Sequence, residues 1–214
     1  FTHGIKNQLL AQRALLRNSM ALDPCDVKNI DIQQNLIELN KINENMLQRM
    51  DELHKVFKFK SLILKKELVS DVVNLAVKKI ERQTDNIDFS VEYINDGQIL
   101  ADKAHLSEAI YSILINAIEA VSTKNQKSKA KIEIKSYISG HDMVIEISDN
   151  GIGIPENKLK SIFDPFFSSK NSNTNWGLGL SYAKKVIKLH YGEIRITSEL
   201  NKGSHFYIIC PQQN

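Results

Sequence analysis

The apolar residues in the first part of the chain follow a helical spacing. Beyond a break at Pro24 they recur in alternating steps of four and three residues, the heptad pattern of packed helices. The positions of this apolar stripe are Ile32, Leu36, Leu39, Asn43, Met46, Met50, Leu53 and Phe57. Before the break, one helical face carries Ile5, Leu9, Leu16 and Met20. Because proline removes a backbone donor and restricts its neighbour, the pattern predicts an antiparallel helical hairpin with its turn near Pro24.

A two-helix hairpin over residues 1–60 cannot bury both of its apolar faces by itself. Two hairpins packed as a four-helix bundle would bury them, which predicts a homodimer through residues 1–60. Asn43, at a position of the apolar stripe, would then favour one register of the bundle at some cost in stability. The alternative is that the stripe packs against the rest of the same chain, and the regular heptad favours the dimer.

From about residue 61 the pattern changes to a mixture of helices and strands. Residues 62–80 have the spacing of an amphipathic helix, IDFSVEYI alternates like a strand, and a long apolar helix follows. KAKIEIKSYI and DMVIEISD predict a strand pair with Gly140 in its turn. A helix near residues 179–191 then precedes a second pair, GEIRITSEL and GSHFYIIC. We therefore predict an α+β protein in which a two-layer α/β sandwich over residues 61–214 follows the hairpin.

Composition narrows the class of protein without identifying it. Of 214 residues, 42% are hydrophobic and 25% are charged, which is ordinary for a globular protein and argues against disorder. The net charge of +3 is small and the lysines are scattered, so we expect no nucleic-acid partner. No apolar run reaches the roughly 18–20 residues that cross a bilayer. Cys25 and Cys210 are far apart in sequence, which favours free thiols in a reducing compartment.

Three groups of residues in the second part point to a nucleotide. DNGIGIP begins at Asp149 after a strand, where a carboxylate can accept a hydrogen bond from an exocyclic amine and two glycines allow a close approach of the backbone. Asn116 lies on the apolar helix, where its amide oxygen would suit Mg²⁺. WGLGLS at 176–181 places glycines at a helix start, whose amides suit phosphate. Taken singly, these groups also fit a tight turn, a core amide and an ordinary helix start.

In this order, the groups resemble the motifs of the ATP-binding domain of sensor histidine kinases. That domain belongs to the GHKL superfamily, which includes gyrase, Hsp90 and MutL and has the two-layer fold called the Bergerat fold. Asn116 matches the N box, DNGIGIP the first glycine box, FDPFFSSK at 163–170 the F box, and WGLGL the second glycine box. GSHF at 203–206 matches the closing segment, so the resemblance covers residues 61–214.

The resemblance implies ATP and Mg²⁺ as cofactors. It implies that Asp149 recognises adenine, that Asn116 holds Mg²⁺, and that Lys170 reaches the phosphates beside the polar lid NSNTN. The other residues that it assigns to ATP binding are Gly151, Gly153, Gly177, Leu178, Gly179 and Leu180. The sequence departs from the family at Asn175 and Trp176, where the second glycine box often begins with glycine and threonine.

The front hairpin resembles the dimerisation and histidine-phosphotransfer domain of the same kinases. HGIKN at residues 3–7 fits the H box, in which a phospho-acceptor histidine is followed four residues later by threonine or asparagine. Residues four apart share a helical face, so Asn7 would lie beside His3. The resemblance implies His3 as the nucleophile and Asn7 as the residue that orients water in a phosphatase reaction. Many relatives carry an acid where this chain has Gly4, and Asp51 or Glu52 of the antiparallel helix could substitute for it.

Ser112 favours a kinase over an ATPase. In ATP-hydrolysing relatives, a glutamate four residues before the magnesium asparagine activates water, and a serine there is a weak base. We therefore predict a histidine kinase that phosphorylates itself on His3 and passes the group to an aspartate of a response regulator. A GHKL-type conformational ATPase and a catalytically degenerate dimeric scaffold are the alternatives. We also expect an upstream region, with this part forming the cytoplasmic domain of a membrane-associated sensor.

Overall fold

The structure is a computed structural model. It describes residues 10, 12–14, 17, 34, 36–44, 46–47, 62–84, 86–123, 129–167 and 177–213. These residues belong to two compact units, which separate between Phe59 and Lys60. Within the described ranges, no helix is long and apolar enough to cross a membrane.

The first unit is helical at each of its described residues. Arg13 donates from Nη2 to Oε1 of Glu44 over 2.7 Å, so helical residues 31 positions apart lie side by side. The inward positions of the later helical part are four, three and four residues apart, as expected for a helix packed on one neighbour. They are Leu36, Asn40, Asn43 and Leu47. The predicted turn at Pro24 lies outside the described residues.

The predicted apolar stripe is divided between two faces of the later helical part. Asn43 is 4% exposed, whereas Leu39 is 51% and Met46 48% exposed. The reason is that packing against one neighbouring helix buries only part of a heptad stripe. Leu39, Ile42 and Met46 therefore form a second apolar face, which the single chain leaves exposed.

The second unit has, among its described residues, a seven-stranded sheet and three α-helices. The strands are β1 Lys65–Leu68, β2 Asp88–Tyr93, β3 Gln98–Ala101, β4 Lys131–Ser139, β5 Asp142–Asp149, β6 Glu193–Glu199 and β7 Gly203–Gln213. The helices are α1 Val69–Val77, α2 Lys103–Thr123 and α3 Gly179–Leu189, with 3₁₀ turns at Glu81–Gln83 and Glu156–Lys158. The sheet order is β1-β3-β7-β5-β4-β2, and β6 also pairs with β7. Only the β2–β4 pair is parallel among these strands.

Side-chain alternation gives the sheet one face that packs against the helices. In β5, Met143, Ile145 and Ile147 are fully buried on the side toward the helices, and Glu146 and Ser148 on the other side are only partly buried. α2 is the central helix of the other layer and buries apolar residues along much of its length. These are Leu106, Ala109, Ile110, Ile113, Leu114, Ala117, Ile118 and Val121. The two-layer α/β sandwich is thus confirmed.

The start of this unit differs from the prediction. Instead of one helix over residues 62–80, β1 precedes α1, and Leu68 has extended backbone angles before the helix begins. β1 pairs antiparallel with β3, a strand that the pattern did not predict. Both strands have only four residues, which is too few to distinguish alternation from helical spacing.

Candidate nucleotide site

Helix α2 connects the predicted parts of the site. Ser112, Asn116 and Ala120 are four residues apart, so they share one helical face over about 12 Å. Gly179, the first residue of α3, lies against Ser112, because a Cβ built on this glycine would be 3.5 Å from the Ser112 Cβ. Gly151 lies against Ala120, where a built Cβ would be 2.7 Å from the alanine Cβ. The glycine loop after β5, the Asn116 amide and the start of α3 therefore lie along one face of α2.

Asp149 ends β5 as a buried carboxylate that is 7% exposed. Its Oδ1 accepts the backbone N–H of Gly151 over 2.8 Å. Ser204 is the register partner of Asp149 across the β5–β7 pair. Burial raises the pKa of Asp149, while the hydrogen bonds from Gly151 and Ser204 oppose that shift. The carboxylate is thus fixed by donors of the protein and keeps acceptor capacity for a ligand amine.

The loop after Asp149 requires glycine for contacts within the protein itself. A Cβ on Gly151 would lie 2.6 Å from the carbonyl carbon of Ala120. Gly153 has φ +67°, and a Cβ there would collide with the carbonyl oxygen of Glu199. The N–H of Ile152 also donates to the carbonyl of Ala120 over 3.2 Å. The chain's own close packing therefore accounts for both glycines, in addition to the expected approach of a nucleotide ring.

Asn116 is half-buried on α2 with its amide held in one orientation. Its Nδ2 donates to the carbonyl of Ser112 over 2.7 Å. This bond commits the nitrogen and leaves Oδ1 as the atom that suits a hard cation such as Mg²⁺, which prefers oxygen ligands. The hydroxyl of Ser112 donates to the carbonyl of Glu108 over 3.0 Å, so its proton is used in a hydrogen bond within α2.

The start of α3 presents backbone amides without helical partners. Leu178 is the N-cap residue, and it makes no side-chain capping bond. The N–H of Tyr182 bonds to the carbonyl of Leu178 over 2.9 Å, so the amides of Gly179, Leu180 and Ser181 precede the helical ladder. The hydroxyl of Ser181 donates back to the Leu178 carbonyl over 2.8 Å and stabilises this turn. Such a helix start binds anions, phosphate among them.

Gly177 packs closely against the FDPFF segment at residues 163–167. It has φ +65°, and a Cβ there would collide with the carbonyl oxygen of Phe167. Its own carbonyl accepts the N–H of Phe166 over 3.2 Å. Phe163 lies under Nζ of Lys184 on α3, 5.2 Å from the ring centroid, which adds a cation–π contact. The stretch before residue 168 and the start of α3 are thereby held together.

Several predicted site residues lie outside the described residues. They are His3, Asn7 and Lys170, together with Asp51, Glu52 and Trp176. The structure brings Asn116, Asp149, Gly151, Gly153 and residues 177–180 to one face of the second unit.

Sequence reasoning missed one polar residue behind the site. The Oγ of Ser198 on β6 accepts the N–H of Ile154 over 2.8 Å and lies 3.0 Å from the Oγ of Ser204. The sequence indicates this role only weakly. Ser198 continues the alternation of Ile194 and Ile196, so it is a polar residue at a position of the strand where an apolar residue is expected. Only the pairing of β6 with β7 shows what it contacts.

The fold and the arrangement of these motifs are those of an ATP-binding family. Residues 101–214 match the family described as histidine kinase-, DNA gyrase B- and HSP90-like ATPase, and the chain belongs to that family. Within it, the resemblance to sensor histidine kinases is confirmed.

The curated relatives carry the names of signalling proteins. The signal transduction histidine-protein kinase AtoS of Escherichia coli (strain K12) is 31% identical over 98% of this chain and 33% of its own length. Sensor protein RprX of Bacteroides fragilis (strain YCH46) is 35% identical over 68% of this chain and 28% of its own length. The crystal structure of full-length ShkA in complex with AMPPNP has the same fold, with a TM-score of 0.80 and 15% identity over 100% of this chain and 45% of that one. This chain thus spans about a third of the length of the curated relatives.

Proposed function

We propose that this chain is the catalytic core of a sensor histidine kinase. It binds ATP with Mg²⁺, transfers the γ-phosphoryl group to His3, and passes it to an aspartate of a response regulator. The observation that carries the proposal is the placement of the Asp149 loop, Asn116 and the start of α3 along one face of α2. This placement suits a ligand with an amine at one end and phosphates at the other.

Each part of the site has a distinct role toward ATP. Asp149 accepts a hydrogen bond from the exocyclic amine of adenine, which is a donor. The amides of Gly179 and Leu180 take phosphate oxygens, and Lys170 adds a positive charge there. Asn116 would hold Mg²⁺ through Oδ1, and the ion would supply positive charge to neutralise the phosphates. Gly151, Gly153, Gly177 and Leu178 shape the backbone around these contacts.

The site favours transfer over hydrolysis. Ser112 stands where hydrolysing relatives have a glutamate base, and its hydroxyl proton is donated to the Glu108 carbonyl. Phosphoryl transfer requires positioning and charge neutralisation more than acid–base help. A neutral ring nitrogen of His3 attacks the γ-phosphorus, the bond from that phosphorus to the bridging β-phosphate oxygen breaks, and ADP leaves. Asn7, one turn away, orients water when the kinase removes phosphate from its regulator.

The first 60 residues form the phosphotransfer hairpin, and residues 61–214 form the ATP-binding domain. The exposed apolar face of Leu39, Ile42 and Met46 supports a homodimer, in which the second copy covers that face. The whole protein is a membrane-associated sensor with this part on the cytoplasmic side.

The test is labelling of the purified chain with γ-labelled ATP and Mg²⁺. We expect an acid-labile, base-stable phosphoprotein in the wild type, since phosphohistidine has that chemistry. His3→Gln should abolish the label, and the matched variant His54→Gln should retain it. Label that persists in His3→Gln would contradict the assignment of the nucleophile.

A further inference from the structure

A row of polar side chains crosses three strands behind the proposed adenine site. Ser198 on β6 is the register partner of Ser204 on β7, and Ser204 is the partner of Asp149 on β5. The two hydroxyl oxygens are 3.0 Å apart. Ser198, Ser204 and Asp149 therefore form one row across β6, β7 and β5.

Ser198 also holds the end of the glycine loop. Its Oγ accepts the N–H of Ile154 over 2.8 Å, and its hydroxyl is 2.9 Å from the carbonyl oxygen of Gly203. The segment from Asp149 to Ile154 is thus fixed at one end by β5 and at the other by Ser198. Loss of this hydroxyl would leave a backbone donor and a backbone acceptor without their partner at once.

The donors and acceptors around Ser198 have one arrangement that satisfies all its contacts. Its Oγ accepts from Ile154 and its single proton goes to the Gly203 carbonyl, so Ser204 is the donor in the contact between the two serines. Ser198 therefore fixes both the end of the glycine loop and the first residues of β7, the strand that pairs with Asp149.

We propose that Ser198 is a positioning residue for nucleotide binding. Through Ile154 it fixes the end of the glycine loop, and through Gly203 and Ser204 it fixes the strand that pairs with Asp149, so that both sides of Asp149 are held in place. This inference rests on the proposed function, because it takes Asp149 as the residue that contacts the base.

The test is calorimetric titration of the whole chain with ADP, together with urea unfolding of each variant. Ser198→Ala should bind ADP about tenfold more weakly, because a hydrogen-bond network is broken. Ser198→Thr keeps the hydroxyl and should restore binding. The matched control is Thr197→Ala, which removes an exposed hydroxyl from the next residue of β6 and should bind as the wild type does.

Comparison of binding with stability separates positioning from a general loosening of the fold. A positioning role lowers the ADP affinity under conditions in which the variant is fully folded, and Ser198→Thr restores that affinity. A merely loosened fold would lower the free energy of unfolding and leave the ADP affinity of the folded protein unchanged.

A second variant keeps the inference testable if Ser198→Ala does not fold. Ser204→Ala should also weaken ADP binding, and the loss in the double variant should be less than the sum of the two single losses, because the two hydroxyls are in contact. Unchanged binding in Ser198→Ala, unchanged binding in Ser204→Ala, or additive losses would overturn the inference. Failure of the wild type to bind ADP, or unchanged ADP binding in Asp149→Asn, would overturn the proposed function instead.

Discussion

Burial and hydrogen bonding shift the pKa of the Asp149 carboxyl in opposite directions. Burial raises its pKa, whereas donation from Gly151 and Ser204 lowers it. A carboxylate held in this way keeps lone pairs for a ligand, and no salt bridge to it is found among the residues that the structure describes. The residue is therefore placed to recognise a donor group, which a surface aspartate would do weakly in competition with water.

Asp149→Asn is predicted to weaken ADP binding by about 10- to 100-fold, because a hydrogen bond to a charged acceptor is lost. The measurement is a titration with ADP at neutral pH. Asp142→Asn is the control, since it makes the same change at the opposite end of β5. Equal affinities for ADP in the Asp149 variant and the wild type would show that another group contacts the base.

Single residues of the candidate site were proposed from the sequence where they belong to one contiguous motif. Asp149, its glycines and Asn116 were proposed through the family resemblance of their motifs, and their roles toward a nucleotide stay predictions. Ser198 was not proposed, since its bond to Ile154 joins residues 44 positions apart. The contact of Gly153 with Glu199 was missed for the same reason. A local pattern reports what one segment can do and not which distant segment packs against it.

At the scale of elements, the glycine loop is held by close backbone contacts from α2 and from the β6–β7 turn. Gly153 combines a positive φ with a carbonyl in the space that a side chain would need. Gly140, in the β4–β5 turn, has φ +66° and no atom within 4 Å of a built Cβ. Comparison of alanine variants at these two glycines therefore separates the free-energy cost of the positive φ angle from the free-energy cost of close packing.

Gly140→Ala is predicted to lower the free energy of unfolding by about 1 kcal/mol, the cost of a left-handed backbone angle for alanine. Gly153→Ala should lower it by about 2 kcal/mol more, because the loop must also move away from Glu199. Urea unfolding of both variants measures the difference. Equal losses in the free energy of unfolding would show that the close contact at Gly153 adds nothing to the cost of the substitution.

His190 joins the start of α2 to the end of α3. Its Nε2 accepts the N–H of Asp102 over 2.9 Å, and its Nδ1 donates to the carbonyl of Val186 over 2.8 Å. This pattern requires a neutral ring, and burial of the side chain lowers the pKa of His190. The ring thus holds the two helices that carry Asn116 and the phosphate-binding amides.

The free energy of unfolding should fall as the pH decreases below about 6.5, the ordinary pKa of histidine. The reason is that His190 then binds a proton in the unfolded chain and stays neutral in the folded protein. His190→Gln, whose amide can both donate and accept, should reduce this slope. Denaturant unfolding at a series of pH values measures it, and His141→Gln, in an exposed turn, should keep the wild-type slope. An unchanged slope in His190→Gln would place the titrating group elsewhere.

At the scale of the whole molecule, the order of long elements was predictable and the arrangement of short ones was not. The helix α2 and the strand pairs of β4 with β5 and β6 with β7 follow their hydrophobic periods. The four-residue strands β1 and β3 acquire their structure from pairing with each other. In the first unit, the sequence gives one apolar stripe, and only packing shows that Asn43 faces inward while Leu39 and Met46 are exposed.

The exposed apolar face of the first unit gives a prediction for assembly. Ile42→Glu introduces a charge into the centre of that face and should convert a dimer into a monomer, because burial of an unpaired charge is costly. Sedimentation velocity measures the change. Lys41→Glu reverses a charge at the adjacent exposed position and should leave the dimer intact. A dimer that survives Ile42→Glu would mean that copies associate through another surface.

The most direct test of the whole account is the fate of the γ-phosphate of ATP in a single turnover with Mg²⁺. We predict that the wild type and the control Asn74→Ala transfer the phosphate to protein in acid-labile form, and that Asn116→Ala does not. The amount of protein-bound phosphate should exceed the amount released, because Ser112 gives no strong base to activate water. Steady release of phosphate without a phosphoprotein would contradict the account and identify a conformational ATPase.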